Sequence, residues 1–460
     1  MSNDVLLIDL AIDSYIQAAD TKLRYPYLQK RPKLGLQYLS SALEGREVRC
    51  EIMDQLATPF SLRELVLKIK NGKFLFIGLY SHFLIKDKII SYIRQIKDEC
   101  NVVIAVGGPG SIYKDEFIKN GCDIVCHGEG EKTILQIADY SQGKISIEEI
   151  KGISYKNSRG IVSNGQQDLI DDLDEVSFPD RDKTSLNLYY DYYITSRKPY
   201  ASMITSRGCP FRCIFCTAPM LWNNRYRFRS VRNVMDEIDL LVKKYGVKYI
   251  AFQDDIFGYN DGWLQEFCGA LSLKGYNLKW SCFLHPSSFK NKKEPLIASM
   301  KKAGCNLIHF GIQSSDPKIL KEINRSPSEP VLLEESVRIA KKEGILILLE
   351  FILGLPGETE ESLRENVRYA LKLKPHLADF HPLVLFTGSE IESKFRGRPV
   401  CALSEDAVRR WCSISLRNFY LRPDTLARVS GYIIRNDPRW ILKLPHFLKF
   451  IFEFMGFHKR

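Results

Sequence analysis

No uninterrupted apolar stretch in these 460 residues approaches the ~20 that a helix needs to cross a bilayer, so no membrane-spanning helix is expected. A secretory leader is not expected either, because the stretch at residues 5–10 is too short and lacks a basic flank. The 12 cysteines are scattered along a chain without such a leader, which argues against a disulfide framework and for a reduced, cytoplasmic protein. Lysine and arginine do not assemble into a recognised nucleic-acid-binding motif, and no nucleic-acid partner is expected. What is there, with 45% apolar residues, suits a soluble globular protein of two or three domains.

Charge is unevenly placed. Residues 396–460 hold 13 Lys/Arg against 5 Asp/Glu, so most of the net +11 sits at the C-terminus and any basic partner surface is expected there. That region mixes Trp411, Phe419, Tyr420 and the apolar residues of 440–457 with Arg and Lys. Such a mixture suits a helical cap over a substrate cavity, or a helix resting on a membrane surface.

Through residue 185, short aliphatic runs alternate with helical patterns, as in a doubly wound parallel sheet with helices on both faces. Strands are predicted at 5–10, 48–53, 74–79, 102–106 and 124–126, and helices at 34–43, 61–70, 86–99, 113–119 and 132–140. Sheets of this kind bind ligands beyond the carboxyl ends of their strands. The turns at those ends hold Ser81, His82, Gly107, Gly108, Gly110, Gly128, Glu129, Gly130 and Glu131. A hairpin is expected around Asn157-Ser158-Arg159-Gly160 as a structural appendage.

A second βα alternation occupies 186–395, with strands at 200–205, 249–253, 279–283, 307–312, 345–353 and 378–385. Six units suggest a partial (β/α)6 barrel, whose reactive groups gather at the strand carboxyl ends. There stand the adjacent carboxylates Asp254 and Asp255, then Gln313-Ser314, then Gly354-Leu355-Pro356-Gly357-Glu358-Thr359. Two neighbouring carboxylates cannot both be buried without a partner. Gly354 and Gly357 let backbone approach a ligand edge, and Glu358 reads as a carboxylate at a helix start. Arg207, Arg225, Arg227 and Arg229 read as a basic rim, with Trp222 and Tyr226 as packing residues.

The first barrel strand runs into Ser206-Arg207-Gly208-Cys209-Pro210-Phe211-Arg212-Cys213-Ile214-Phe215-Cys216. A structural zinc site wants four ligands, usually as two pairs, and the next cysteines, Cys268 and Cys282, lie far apart in apolar contexts. A four-iron cluster normally takes four thiolates, so three leave one iron open to a small molecule.

This C-x3-C-x-aromatic-C loop resembles that of the radical S-adenosylmethionine (SAM) superfamily. The resemblance implies that Cys209, Cys213 and Cys216 bind a [4Fe–4S] cluster and that SAM chelates the open iron. SAM cleavage then gives a 5′-deoxyadenosyl radical. It also implies that Asp254 first, or Asp255, meets the SAM amino group and that Gln313 and Ser314 lie near the ribose. Gly354 and Gly357 would lie along adenine or methionine. Two substitutions depart from the family: Gln313 stands where relatives usually have Glu, and Phe386-Thr387-Gly388-Ser389 stands where Pro-Gly-Thr is common.

Pro32-x-Leu34-Gly35-Leu36, Val106-Gly107-Gly108-Pro109, Gly128-Glu129-Gly130-Glu131 and 173–181 resemble the cobalamin-binding domain and tether of one radical SAM class. That class includes class B methyltransferases and the Mg-protoporphyrin cyclase and hopanoid-associated group. The implied layout is a Rossmann-like cobalamin-binding domain over 1–185, the barrel over 186–395 and a basic helical cap over 396–460. Asp9-Leu10-Ala11-Ile12-Asp13 replaces the cobalt-ligating Asp-x-His-x-x-Gly, so cobalamin without a protein histidine is expected. His82 is expected to be neutral and to contact ligand or backbone. The implied reaction is methylation of an unactivated carbon; the alternatives are ring formation or rearrangement without net methyl transfer, and a non-catalytic iron–sulfur redox or binding protein. The implied partners are a small-molecule or lipid-like substrate and an electron donor such as flavodoxin or ferredoxin.

Overall fold

The computed structural model describes residues 4–11, 29–191, 195, 197–289 and 293–436. They form two compact units, one of 4–11 and 30–189 and the other of 190–436. The apolar and basic stretch at 440–457, and most of 9–15, lie outside the described residues.

In the first unit, β1 (Asp4–Asp9), β2 (Cys50–Asp54), β3 (Phe74–Tyr80), β4 (Val103–Gly107) and β5 (Ile124–Cys126) are parallel. The predicted hairpin supplies β6 (Ile153–Asn157) and β7 (Gly160–Ser163), which continue the sheet antiparallel in the order β2-β1-β3-β4-β5-β6-β7. Alternation along β1 explains the double winding. Leu6 and Ile8 join a core with residues of α2 (Leu62–Asn71), α3 (Lys86–Glu99) and α4 (Lys114–Lys119). Val5 and Leu7 join a second core with α1 (Leu34–Glu44) and α5 (Gly130–Ser141). Each helix thus buries one stripe on one sheet face.

Two helix starts differ from expectation. Pro109–Tyr113 is a 3-10 turn ahead of α4, since proline suits a helical first turn and needs no N–H partner there. Gly130 and Glu131 already belong to α5, where an acid in the first turn complements the helix dipole.

The 173–184 stretch is fastened to α1. Ser41 Oγ donates to Phe178 O (2.5 Å), Ser40 Oγ to Asp180 Oδ2 (2.9 Å) and Arg181 Nη1 to Gln37 Oε1 (2.9 Å). Gln37 Nε2 donates to Thr184 Oγ1 (2.6 Å), and Lys183 pairs with Glu44 (2.6 Å).

The second unit is a six-stranded parallel sheet in sequential order: β8 (Tyr200–Met203), β9 (Tyr249–Phe252), β10 (Lys279–Leu284), β11 (Cys305–Gln313), β12 (Leu346–Leu353) and β13 (Leu377–Pro382). Between and after them come α6 (Ala218–Trp222), α7 (Val231–Lys243), α8 (Asp261–Leu273), α9 (Lys293–Lys302), α10 (Pro317–Glu322) and α11 (Glu329–Lys342). The remaining helices are α12 (Glu360–Leu373), α13 (Glu390–Phe395), α14 (Glu405–Tyr420) and α15 (Pro423–Asn436). α7 shows why they form: Ser230 caps Asn233 N, and Val231, Val234, Met235, Ile238 and Leu241 repeat along one buried stripe.

α14 belongs to this unit. Tyr420 Oη donates to Ala378 O (3.0 Å) and accepts from Ala378 N (3.1 Å), while Trp411, Phe419 and Tyr420 are buried. Its apolar face is therefore covered by protein. Among the described residues no helix is long and apolar enough to cross a membrane.

Candidate active site

The cysteine loop follows β8. Ser206–Arg207 pairs antiparallel with Arg227–Phe228, so the loop leaves and returns across a short ribbon. Gly208 begins it with φ +90°, and a Cβ there would lie 1.9 Å from Arg225 O, so only glycine fits. Cys213 is buried, and Cys209 and Cys216 are half-buried. Burial pushes Cys209 up to about 12 and Cys216 to about 11, so these thiols hold their protons until a metal displaces them. Among the described residues no group of three or more His, Cys, Asp or Glu is set to hold a single metal ion. A cluster that places several irons between its ligands calls for a wider spacing than a single ion does.

The two carboxylates after β9 divide the work. Asp254 is 4% exposed, and its Oδ1 accepts from Thr205 N (2.8 Å), Thr205 Oγ1 (2.8 Å) and Ser206 Oγ (2.6 Å). Burial raises it to about 6 against those hydrogen bonds, and its Oδ2 has no protein partner. Asp254 thereby ties the end of β8 to the end of β9 just before the cysteine loop. Asp255 is exposed and accepts from Gly208 N (3.1 Å), which makes it the more reachable carboxylate. Asp254→Ala is expected to strand the Thr205 N–H at a cost of about 1–3 kcal/mol and to lower iron loading. Asp254→Asn, which keeps an acceptor oxygen, should lose less; thermal melting and iron assay separate them.

Gln313 ends β11 with φ +65° at a bulge beside Gly311. Ser314 is fully buried, accepts from Asp316 N (3.2 Å) and approaches Asn366 Oδ1 (3.5 Å), so its hydroxyl is engaged within the protein. Gly354 and Gly357 both take positive φ. Glu358 corrects the sequence reading. It is fully buried, and its Oε2 accepts from Gly354 N (2.6 Å) and Leu355 N (3.0 Å) while Asn366 Nδ2 donates to Oε1 (3.3 Å). The helix start is served instead by Thr359, which accepts from Ser362 N.

Of the four arginines expected to form a basic rim, Arg225 is exposed and the other three are not. Arg207, Arg227 and Arg229 are buried, and Arg229 pairs with Glu237 (2.5 Å) while donating to Ile204 O (2.9 Å). Arg227 lies over the Trp222 ring (5.6 Å), and Tyr226 packs edge-on to Tyr259 (5.6 Å).

Other groups had no sequence signal. Buried Arg325 donates to Glu329 Oε2 (2.7 Å) and Gly311 O (2.8 Å). His285 lies 3.4 Å from Glu329 and stacks at 3.9 Å on Phe211 of the cysteine loop. On one sheet face, His309 Nδ1 lies 3.4 Å from Glu350 Oε1, and His381 Nε2 lies 3.0 Å from Asp379 Oδ2. Burial alone would lower His381, but Asp379 and then Glu350 raise it to about 9.

In the first unit, the strand-end turns form a close cradle. Ser81 N donates to Gly107 O (2.7 Å) and Gly110 N to Ser81 O (2.9 Å). A Cβ on Gly110 would lie 2.2 Å from Ser81 Oγ, and that buried hydroxyl has no protein partner. Gly110→Ala is expected to destabilise this turn and Ser81→Ala to restore part of the loss, a coupling measurable in a double-mutant melting cycle. Gly107, Gly108 and Gly128 sit in the same set of turns, the latter two at positive φ. Glu129 is buried and accepts from Ile170 N (2.7 Å), which directs it at the 165–189 stretch. Gly130 and Glu131 are in the first turn of α5. His82 Nδ1 accepts from Leu84 N (3.3 Å), and burial with Lys33 nearby lowers it to about 4, leaving a neutral ring. At the ends of β1 and β2, burial and Asp54 raise Asp9 to about 7 against Lys33, and Tyr189 donates to Asp54 (2.7 Å).

A strand-end three-thiol loop, opening a sequential six-strand parallel sheet, defines a class of iron–sulfur enzymes, and sequence comparison agrees. The model of the Radical SAM superfamily matches residues 203–370. An uncharacterized methyltransferase of Pyrococcus horikoshii is 30% identical over 447 residues, covering 90% of this chain and 94% of that protein. The chain belongs to the radical SAM superfamily, whose enzymes use a [4Fe–4S] cluster and SAM. It is also similar to the anaerobic magnesium-protoporphyrin IX monomethyl ester cyclase of Cereibacter sphaeroides, 29% identical over 56% of this chain and 42% of that one. Among solved structures, the fold matches TsrM of Kitasatospora setae, a radical SAM methyltransferase with cobalamin and a [4Fe–4S] cluster bound. The TM-score is 0.68 at 19% identity, over 86% of this chain and 75% of that one.

Proposed function

We propose that this chain is a cobalamin-dependent radical SAM methyltransferase that acts on an unactivated carbon of a small-molecule or lipid-like substrate. The observation that carries the reading is the pairing, in one chain, of the three-thiol loop with a parallel sheet in the order 2-1-3-4-5. Ligands of such sheets lie beyond the strand carboxyl ends. The Pyrococcus relative, named a methyltransferase, and the likeness to TsrM support it.

Cys209, Cys213 and Cys216 would hold the cluster. When bound, it supplies one electron for reductive cleavage of SAM. Asp254 orients the loop, whereas Asp255, Gln313, Gly354 and Gly357 would line SAM. Glu358 and Asn366 hold the Gly354–Leu355 turn in place. The residues of the first unit fit a large flat cofactor: a backbone cradle at Gly107, Gly108 and Gly110, and a buried Ser81 hydroxyl with an unused hydrogen-bonding site. Bound there, cobalamin would carry the methyl group, with no histidine supplied to cobalt by His82. Ser314, Glu129 and Glu131 have structural duties and are proposed only to support the neighbouring turns.

Anaerobic reconstitution with SAM, cobalamin and a reductant tests the reading. Comparable yields of 5′-deoxyadenosine and S-adenosylhomocysteine are expected. The first product without the second would replace methylation by cyclisation or rearrangement, the reading favoured by the cyclase relative. Neither product would remove both.

A further inference from the structure

The strands of the second unit are all parallel, so the turns that lead into β8–β13 gather on the face opposite the cysteine loop. Those turns, at 197–199, 243–248, 272–279, 301–304, 341–345 and 372–376, hold 13 Lys/Arg and one carboxylate, Glu343. They carry a net +12, while the rest of the first 395 residues sums to −9. Acids on the adjoining helices reach some of these cations. Asp239 pairs with Lys243 and Lys274 (2.8 Å each), Glu294 with Lys342 (2.7 Å) and Glu334 with Lys372 (2.8 Å). With those three acids counted, the face keeps a net +9. Lys248, Lys279, Lys302 and Lys374 form no ion pair among the described residues.

The helix dipole favours a lysine in a last turn, which accounts for Lys243, Lys302, Lys342 and Lys372. It does not account for the crowding beyond the helices. Burial, then Lys301 and Arg197, hold Lys279 below the usual lysine range; burial, then Arg428 and Lys374, do the same to Lys341. Burial, then Arg428 and Lys341, lower His376 to about 4. An anionic partner laid across the face relieves that repulsion.

The same face exposes aliphatic side chains. Leu273, the last residue of α8, is 90% exposed, and Leu421 and Leu426 at the junction of α14 and α15 are 51% and 44% exposed. Arg428 of α15 seats that junction here by donating to Pro375 O (2.9 Å) in the turn before β13. From α15 the chain runs on into 437–460, whose sequence holds 12 apolar residues and 5 Lys/Arg. Aliphatic groups set among cations suit the boundary of an anionic bilayer. A single-stranded nucleic acid calls for exposed stacking rings instead. The tyrosines of these turns, Tyr245 and Tyr276, are half-buried, and Tyr276 spends its hydroxyl on Asp239 (2.9 Å).

From this charge and these leucines we infer that the strand-entry face of the second unit docks on the surface of an anionic lipid bilayer. The leucines lie at headgroup level and the lysines meet the lipid phosphates. This binding needs neither cluster nor SAM, so it stands or falls apart from the radical SAM reading.

The test is flotation of the full chain with vesicles of phosphatidylcholine alone and of phosphatidylcholine with about 30% phosphatidylglycerol. Binding is expected on the second and not on the first, and its affinity should fall about tenfold as salt rises from roughly 0.1 to 0.5 M. Lys248→Glu/Lys302→Glu/Lys374→Glu should lower the affinity about tenfold or more. Leu273→Ser/Leu421→Ser should lower it about threefold. All five side chains are exposed, so melting and dithionite-driven SAM cleavage should match wild type in both variants. No binding to either vesicle, equal binding to both, or unchanged affinity in the charge variant would overturn the proposal. Capture of a single-stranded RNA by wild type and not by the charge variant, with vesicles ignored, would overturn it in favour of nucleic acid.

Discussion

Replacing Cys213 with alanine is expected to reduce SAM cleavage to the no-enzyme background. Cys213 is the buried member of the three, held in a loop whose backbone bonds (Cys216 N to Cys213 O, 3.0 Å) keep the thiols in one turn. With two thiols left, a second iron loses its protein ligand and the cluster has no fixed orientation toward SAM. Iron content, charge-transfer absorbance and the reduced-state EPR signal should fall together. Cys268→Ala makes the contrast, since Cys268 lies in an apolar core on α8. It should retain cluster and cleavage while melting earlier, by the cost of a small cavity. A Cys213 variant with full iron and normal 5′-deoxyadenosine yield would remove the cluster assignment.

The second large effect is expected at Glu358. Alanine there leaves the Gly354 and Leu355 N–H groups and the Asn366 amide without their acceptor, all in a buried site. The cost should be about 3–5 kcal/mol, with weakened SAM binding as the turn loosens. Glu358→Gln keeps an acceptor and should cost less. Burial raises Glu358 from 4.5 to about 8 despite its hydrogen bonds. Between those values the folded chain holds a proton that the unfolded chain has lost. Its contribution to stability is therefore full below pH 4.5 and declines as pH rises through 8. Melting temperature against pH should slope downward over that window in wild type and flatten in Glu358→Gln. An equal slope in both would show that the carboxyl does not titrate there.

Much of this was legible beforehand because it is periodic or local. Strands alternate every second residue and helices bury every third or fourth, so both sheets could be read from apolar spacing, and the three cysteines are neighbours in sequence. Burial and long-range pairing are not local. Glu358 sits next to a capped helix, as a helix-start acid would, and only the fold shows it turned inward to two backbone amides. Arg229 looks like a solvated arginine until α7 brings Glu237 beside it. Asp254 and Asp255 are adjacent in sequence; the hydrogen bonds from Thr205 and Ser206 to one and from Gly208 N to the other distinguish them. His309, Glu350 and His381 come from three strands, and their proximity depends on register that spacing within one strand cannot reveal.

The bonds from Gln37, Ser40, Ser41 and Glu44 to residues 178–184 have a practical bearing on rebuilding this chain from parts. A hybrid that grafts a relative's catalytic half onto this N-terminal half should be spliced after Tyr189, where the two units divide, so that both halves of the clasp come from one parent. A splice near residue 165 would mate a foreign strap to Arg181's partner on α1 and leave buried polar groups unmatched.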